Sequence, residues 1–179
     1  MLDPLQQPAL IEAPAHAVEG LEGQLFELLI GRNLLQGANQ QVLEDWVKQL
    51  ETLLHAGAEV HLMSSQPQAG PAELLNADHA PLIEAEQRWL AERQPLEQLQ
   101  ELLAAANWNV TQEQWTDQVS LQVDSGLITR WFSKQATYRQ AMEEQLGDQA
   151  IKALKTSYQK RIGTKLRQTI SHQHLVARR

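Results

Sequence analysis

The apolar runs LFELLI (residues 25–30) and AEVHLM (residues 58–63) flank an amphipathic segment and predict a strand–helix–strand unit. Continuous rather than alternating apolarity is typical of strands covered on both faces in a parallel sheet. Asn39 predicts the start of the intervening helix and Gly57 its end. One face of that helix is apolar at three- and four-residue steps, with Val42, Leu43, Trp46, Val47, Leu50, Leu53 and Leu54. This arrangement predicts a right-handed parallel crossover.

The composition predicts one globular domain. The chain has 179 residues, of which 42% are hydrophobic, which suits a single domain with an adequate core. No apolar run approaches the roughly 20 residues that span a bilayer, and the amino terminus lacks the pattern of a secretory signal. The absence of cysteine excludes disulfides, thiolate catalysis and cysteine-ligated zinc. We therefore expect a cytoplasmic protein without membrane contact.

Further strands are expected near residues 8–13, 108–115 and 171–177. Helices are expected after residue 81 and between the strands at 108–115 and 171–177. Asp124 or Ser125 predicts the start of a helix that runs through Leu127 toward Leu146. The segment from 127 to 170 is predicted to be helical and basic.

A doubly wound α/β domain holds its nucleotide on a glycine-rich loop in its first half. None of the nine glycines forms a G-x-G, and only residues 1–24 precede the first apolar run. We therefore predict a single domain over residues 1–179 that lacks the nucleotide-binding half. The predicted fold class is α/β: a partial doubly wound, mostly parallel sheet with helices on both faces and a helical C-terminal insertion.

The order of these segments resembles the carboxyl half of a class I S-adenosylmethionine (SAM)-dependent methyltransferase domain, with its Rossmann-like sheet. The resemblance lies in FELLI followed by GRN (residues 26–33), in LLHAGAEV (residues 53–60) and in LLAAANWNV (residues 102–110). His55, Ala56 and Ala58 depart from the family's lysine, proline and glycine. The resemblance implies that SAM is the cofactor of any activity, although the cofactor loop is not among the matching segments.

A narrower resemblance is to the methyltransferase-like C-terminal region of cyanobacterial fusion proteins, where it follows a replication-associated recombination ATPase of the AAA+ class. It rests on GRNLL (residues 31–35), SQPQAGPA (residues 65–72) and LITRWF (residues 127–132). It implies a role in DNA recombination or replication maintenance. No G-x-x-x-x-G-K-[ST] motif is present, so ATP hydrolysis does not follow.

Candidate site residues follow the two crossover strands. Ligands of open α/β sheets bind outside the carboxyl ends of the strands, and Arg32 and Asn33 follow the first strand. The Asn33 carbonyl oxygen is an acceptor suited to a substrate amino group. Ser64, Ser65 and Gln66 follow the second strand and are expected at the same rim, although both segments also suit simple turns.

The charge is unevenly distributed. Residues 1–126 carry 4 Lys and Arg against 19 Asp and Glu, whereas residues 127–179 carry 11 against 3. This asymmetry predicts either pairing of the basic segment with the acidic part of the chain or weak contact with nucleic acid. The candidate phosphate contacts are Lys152, Lys155, Lys160, Arg161, Lys165 and Arg167.

No catalytic residue is predicted, because the chain has no G-x-S-x-G, no H-E-x-x-H and no other nucleophile–base pattern. His172 and His174 share a face of a predicted strand, but no nearby carboxylate or cysteine completes a metal shell. The acids between residues 84 and 101, Glu86 among them, are expected on the solvated faces of helices.

The leading hypothesis is a non-catalytic, methyltransferase-like interaction module associated with DNA maintenance. A half sheet exposes an unpaired edge, which recruits another chain unless it is covered. We therefore expect a protein partner or a homodimer at that edge. The alternatives are a SAM-dependent methyltransferase, or a fragment of one, and a weak nucleic-acid binder.

Overall fold

A computed structural model describes residues 25–76, 79–93 and 96–179. The strands are β1 (Phe26–Arg32), β2 (Leu54–Pro67), β3 (Asn109–Gln122) and β4 (Lys165–Arg178). The helices are α1 (Gln40–Leu53), α2 (Pro71–Leu74), α3 (Ala80–Ala91), α4 (Leu96–Ala105), α5 (Ser125–Phe132), α6 (Thr137–Leu146) and α7 (Asp148–Gln159).

The strands form one sheet in the order β1-β2-β4-β3. β1 and β2 are parallel and are joined by α1, which confirms the predicted crossover and the α/β class. β4 enters the sheet between β2 and β3 and is antiparallel to both. Three strands therefore point the same way, but two of the three ladders are antiparallel, because β4 runs back from a helical insertion.

A hydrophobic core covers one face of the sheet. Helices α1 and α4 pack there, and Leu43, Leu50 and Leu99 are almost fully buried. The sheet contributes Val60, Leu62, Leu175 and Ala177 to this layer. As predicted, Asn39 caps α1, since its side-chain oxygen accepts from the Val42 amide at 3.0 Å.

The end of α1 differs from the prediction. The helix ends at Leu53, and β2 begins at once with Leu54, which pairs with Phe26. The ladder then skips to Leu28↔Glu59, so the intervening residues of β2 bulge outward. Gly57 has a φ of 89° within this bulge. Its left-handed backbone therefore serves an excursion of the strand rather than a helix terminus.

A helical unit is inserted between β3 and β4. The helix predicted from Leu127 to Leu146 is broken into α5 and α6 at residues 133–136, and Gly147, with a φ of 80°, separates α6 from α7. Asp124 caps α5 as predicted, accepting from the Leu127 amide at 2.7 Å. The prediction that the helical segment extends to residue 170 is wrong, because the chain from Lys165 pairs with β3.

This unit has a second core, formed with α2 and α3. Its centre is aromatic: the ring of Phe132 lies 5.9 Å from that of Tyr138 and 5.5 Å from that of Tyr158. Leu166 of β4 packs against the same core. Helices α1 and α4 thus cover one face of the sheet, and the inserted unit lies beyond the carboxyl end of β2.

The outer edge of β1 pairs with no strand among the described residues. Leu28 is 52% exposed and Ile30 is 72% exposed along this edge. The strand predicted at residues 8–13 lies outside the described residues. Within the described ranges, no helix is long and apolar enough to cross a membrane.

Candidate functional site

The carboxyl ends of β1 and β2 form a clamped rim. The Asn33 amide donates to the Met63 carbonyl at 2.7 Å. The Asn33 side-chain oxygen accepts from the Ser65 amide at 2.8 Å. Asn33 has a φ of 53°, in the left-handed region that asparagine tolerates better than most residues. These contacts fix the turn after β1 against β2.

The rim brings together some of the residues predicted from the sequence. Arg32 and Asn33 are exposed, and Ser65 is half-buried next to Asn33. Ser64 and Gln66 are buried on the other face of β2, and the Gln66 amide donates to the Leu90 carbonyl. The Asn33 oxygen that was expected to hold a substrate already accepts from Ser65. Substrate roles for these five residues stay predictions.

A cavity of about 260 Å³ lies beyond the rim, between the end of β2 and the helical unit. The strand reaches it at Pro67, two residues beyond Ser65, or about 7 Å along the chain. Its lining is mainly aromatic and aliphatic, and Arg130 is the charged side chain in it. The lining residues that matter below are Pro67, Trp89, Arg130, Trp131, Tyr138 and Gln168.

The buried carboxylate of Glu86 contacts Tyr138, one of the residues that line the cavity. Glu86 of α3 is fully buried and accepts from the Ala72 amide at 2.7 Å, from the Glu73 amide at 3.2 Å and from the Tyr138 hydroxyl. Burial raises the pKa of the Glu86 carboxyl, although its three donors offset part of that effect. Glu86 therefore ties α2, α3 and α6 together.

The two tyrosine hydroxyls near this carboxylate act as donors rather than acids. Burial, reinforced by Glu86, raises the pKa of Tyr138 and of Tyr158 well above the ordinary value. The Tyr158 hydroxyl donates to the Pro71 carbonyl at 2.7 Å. Both phenols keep their protons at neutral pH, so this wall offers fixed geometry and no general base.

The prediction that Glu86 lies on a solvated helix face is wrong. Glu86 lies four residues after Leu82 and four before Leu90, and both leucines are buried. Positions four residues apart share a helix face. This spacing was a usable signal, although a glutamate on an apolar stripe needs donors from elsewhere in the chain, and the helix alone does not reveal them.

Histidines line the sheet face that carries Ile30. His61 contacts His174 at 3.3 Å and Glu59 at 3.0 Å. In a second group, His172 contacts the Ser65 hydroxyl at 2.9 Å and Asp117 at 3.3 Å, with Trp115 stacked on its ring. Among the described residues, no group of three potential ligands is arranged to hold a metal ion.

The candidate phosphate contacts are spread over three structural elements. Lys152 and Lys155 lie on α7, Lys160 and Arg161 follow it, and Lys165 and Arg167 lie on β4. Lys152 pairs with Asp148, which lies in the same basic segment, so this ion pair is not the predicted pairing with the acidic part of the chain. Nucleic-acid contact by these residues stays a prediction.

Comparisons with known proteins found structural similarity without sequence similarity. No family model and no curated protein matches the chain. A protein from Bacillus halodurans C-125, whose crystal structure is named as that of a methyltransferase, is 10% identical in sequence to this chain, with a TM-score of 0.46. The match covers 93% of this chain and 69% of that protein. The plantazolicin methyltransferase BamL, in complex with a triazolic desmethylPZN analog and SAH, is 11% identical with a TM-score of 0.36, over 92% of this chain and 57% of BamL.

The plantazolicin methyltransferase BpumL, also solved with SAH, is 10% identical with a TM-score of 0.32. This chain covers 53% of BpumL, so it spans just over half the length of both plantazolicin enzymes. At these values the similarity does not assign an activity. The chain is structurally similar to methyltransferases of low sequence identity.

Proposed function

We propose that this chain forms the acceptor-side part of a SAM-dependent methyltransferase. The observation that carries the proposal is the Asn33 clamp, which fixes the turn after β1 at the carboxyl edge of a parallel pair. In an open α/β sheet, this edge is where ligands bind. The aromatic cavity beyond Pro67 supports the proposal, because it gives an acceptor molecule a place next to that edge.

The residues present fit one wall of a SAM crevice. Arg32 and Asn33 would line that wall, whereas the sequence has no G-x-G loop for the opposite wall. The cofactor would supply an electrophilic methyl group. A further segment, next to the edge of β1 that pairs with no described strand, is needed to complete the crevice.

We expect the 179-residue protein to bind SAM weakly but saturably, with a dissociation constant on the order of 1 mM. Half a crevice makes fewer contacts than a complete one. Saturation-transfer NMR with SAM, on protein shown to be folded by circular dichroism, measures this binding. Asn33→Gly keeps the left-handed backbone but removes the side chain, and it should weaken the signal at least threefold, as should Arg32→Ala.

The matched control is Arg161→Ala, which removes an exposed arginine distant in sequence from the rim and should leave SAM binding unchanged. A folded protein with no saturable SAM signal up to several millimolar overturns the methyltransferase proposal. Equal binding by the wild type and both rim variants overturns the assigned wall.

A second candidate function is that of an association module, as the sequence predicted, and the edge of β1 that pairs with no described strand favours it. An exposed edge with apolar side chains templates further strands. We infer that a second copy adds its own β1 antiparallel to this one, because an isologous two-fold contact uses the same patch on both partners. A role in DNA maintenance rests on sequence resemblance alone and stays a prediction.

Light scattering tests this association. The wild type should form a dimer that dissociates on dilution, and the double variant Leu28→Lys/Ile30→Lys should be monomeric and should melt at the temperature of the diluted, monomeric wild type. Both side chains are already exposed, so lysine costs little in the monomer. A wild type that stays monomeric at every concentration contradicts the association, and so does a double variant that still dimerises.

A further inference from the structure

The cavity between the end of β2 and the helical unit has the chemistry of a small-molecule site. Pockets that bind small ligands are concave, mostly apolar and furnished with a few polar groups. At about 260 Å³ this one suits a ligand of one or two rings. We propose that it binds a flat aromatic or heteroaromatic molecule that carries an acidic group.

The aromatic preference follows from the walls. Trp89, Trp131 and Tyr138 line the cavity, and aromatic rings pair favourably in edge-to-face and offset geometries. Trp89 already meets Tyr138 edge-on, with ring centroids 5.8 Å apart. Trp131 meets Tyr158 in the same way at 5.3 Å. An aromatic guest extends this network, whereas a flexible aliphatic one does not.

The walls are fixed before any ligand arrives. The Tyr138 hydroxyl is held by Glu86, and the Tyr158 hydroxyl by the Pro71 carbonyl. The Gln168 amide donates to the Ala69 carbonyl at 3.1 Å, which fixes the chain after β2. A preorganised cavity loses little conformational entropy on binding, which favours a rigid, planar ligand.

The acidic group follows from Arg130. It is the charged side chain among the lining residues, and it forms no ion pair with another described residue. A guanidinium binds a carboxylate through two parallel hydrogen bonds. A carboxylate at the mouth with the ring inside satisfies both parts of the cavity.

This inference rests on the proposed function only where it calls the ligand a methyl acceptor. The binding itself is measured without SAM and on different variants from those of the rim. Failure of the cavity experiment therefore leaves the SAM experiment standing, and the converse also holds.

Calorimetry with three probes tests the proposal: 2-naphthoate, its neutral counterpart 2-naphthamide, and cyclohexanecarboxylate. We expect 2-naphthoate to bind most tightly. Arg130→Gln should weaken the binding of 2-naphthoate about tenfold, since a charge-assisted hydrogen bond is lost. The affinity for 2-naphthamide should change less than twofold. Arg178→Gln is the matched control, because Arg178 lies at the opposite end of β4 from Gln168 and pairs there with Glu59, and it should leave all three affinities unchanged.

Trp131→Phe replaces one lining ring with a smaller aromatic ring. It should weaken the binding of both aromatic probes but not that of cyclohexanecarboxylate. No saturable binding of 2-naphthoate to folded protein overturns the site. Equal affinity for the two carboxylates overturns the aromatic preference, and insensitivity to Arg130→Gln overturns the role of arginine.

Discussion

Replacing Glu86 with alanine is expected to lower the free energy of unfolding by about 3–4 kcal/mol, because two buried donors and one partly buried donor lose their acceptor at once. These are the amides of Ala72 and Glu73 and the hydroxyl of Tyr138. Glu86→Gln should cost less, about 1–3 kcal/mol. The glutamine keeps one acceptor oxygen, and only its NH2 group faces another hydrogen-bond donor. Urea denaturation at pH 7 measures both changes.

The effect of Glu86→Gln should depend on pH. Burial raises the pKa of the Glu86 carboxyl above its unfolded value, so the folded state holds the proton over a range where the unfolded state has released it. The stability from this group is therefore fully present below the unfolded pKa and is lost as the pH rises through the folded one. The difference between wild type and Glu86→Gln should shrink from pH 5 to pH 8.

Glu84→Gln is the matched control, since Glu84 lies on the exposed side of the same helix. It should change stability by less than about 0.5 kcal/mol at either pH. A difference between wild type and Glu86→Gln that grows with pH would show that the three donors outweigh burial in setting this pKa.

Phe132→Ala is expected to destabilise the protein by about 3–5 kcal/mol, the range for deleting a large side chain from a packed core. Phe132 is 1% exposed and lies between the rings of Tyr138 and Tyr158. The helices of the unit are short, so they depend on this shared core more than on their own propensity. The shift in the midpoint of urea denaturation measures this loss of stability, provided that the dependence of the unfolding free energy on urea concentration is unchanged.

Ile162→Ala is the matched control, because Ile162 is 57% exposed after the end of α7. Its removal should leave the midpoint almost unchanged. A loss of less than 1 kcal/mol for Phe132→Ala would mean that the helical unit is not packed around this ring.

The sequence predicted the elements whose signals are local. The crossover follows from two apolar runs and a helical period between them, and Asn39 and Asp124 cap the helices that they were expected to start. The ends of β3 and β4 were underestimated. The predicted strand at residues 108–115 stops short of Gln122, where β3 ends, because residues 116–122 are held in the strand by pairing with residues 43 to 55 positions away in β4.

The cavity was not predictable from the sequence. Its lining comes from five separate stretches, from Pro67 to Gln168, that only the folded chain brings together. In the sequence, Arg130 and Trp131 belong to the segment LITRWF that carries the family resemblance, and nothing there indicates that they line a cavity. The rim was easier to foresee, because the carboxyl ends of adjacent parallel strands meet wherever a crossover forms.

The insertion of the helical unit has a consequence for the order of folding. The chain leaves the sheet at Val123 and returns at Gly163 and Thr164, where Val123 donates to Thr164 at 2.9 Å and accepts from Gly163 at 2.9 Å. Pairing β3 with β4 directly means closing a long loop, at an entropic cost that rises with its length. Helices α5 to α7 form from nearby residues on a faster timescale than hairpins do. Once they pack around Phe132, the two strand ends are already adjacent. The β3–β4 ladder can then form outward from that point, so we expect the helical unit to form before the two strands that precede and follow it pair with each other.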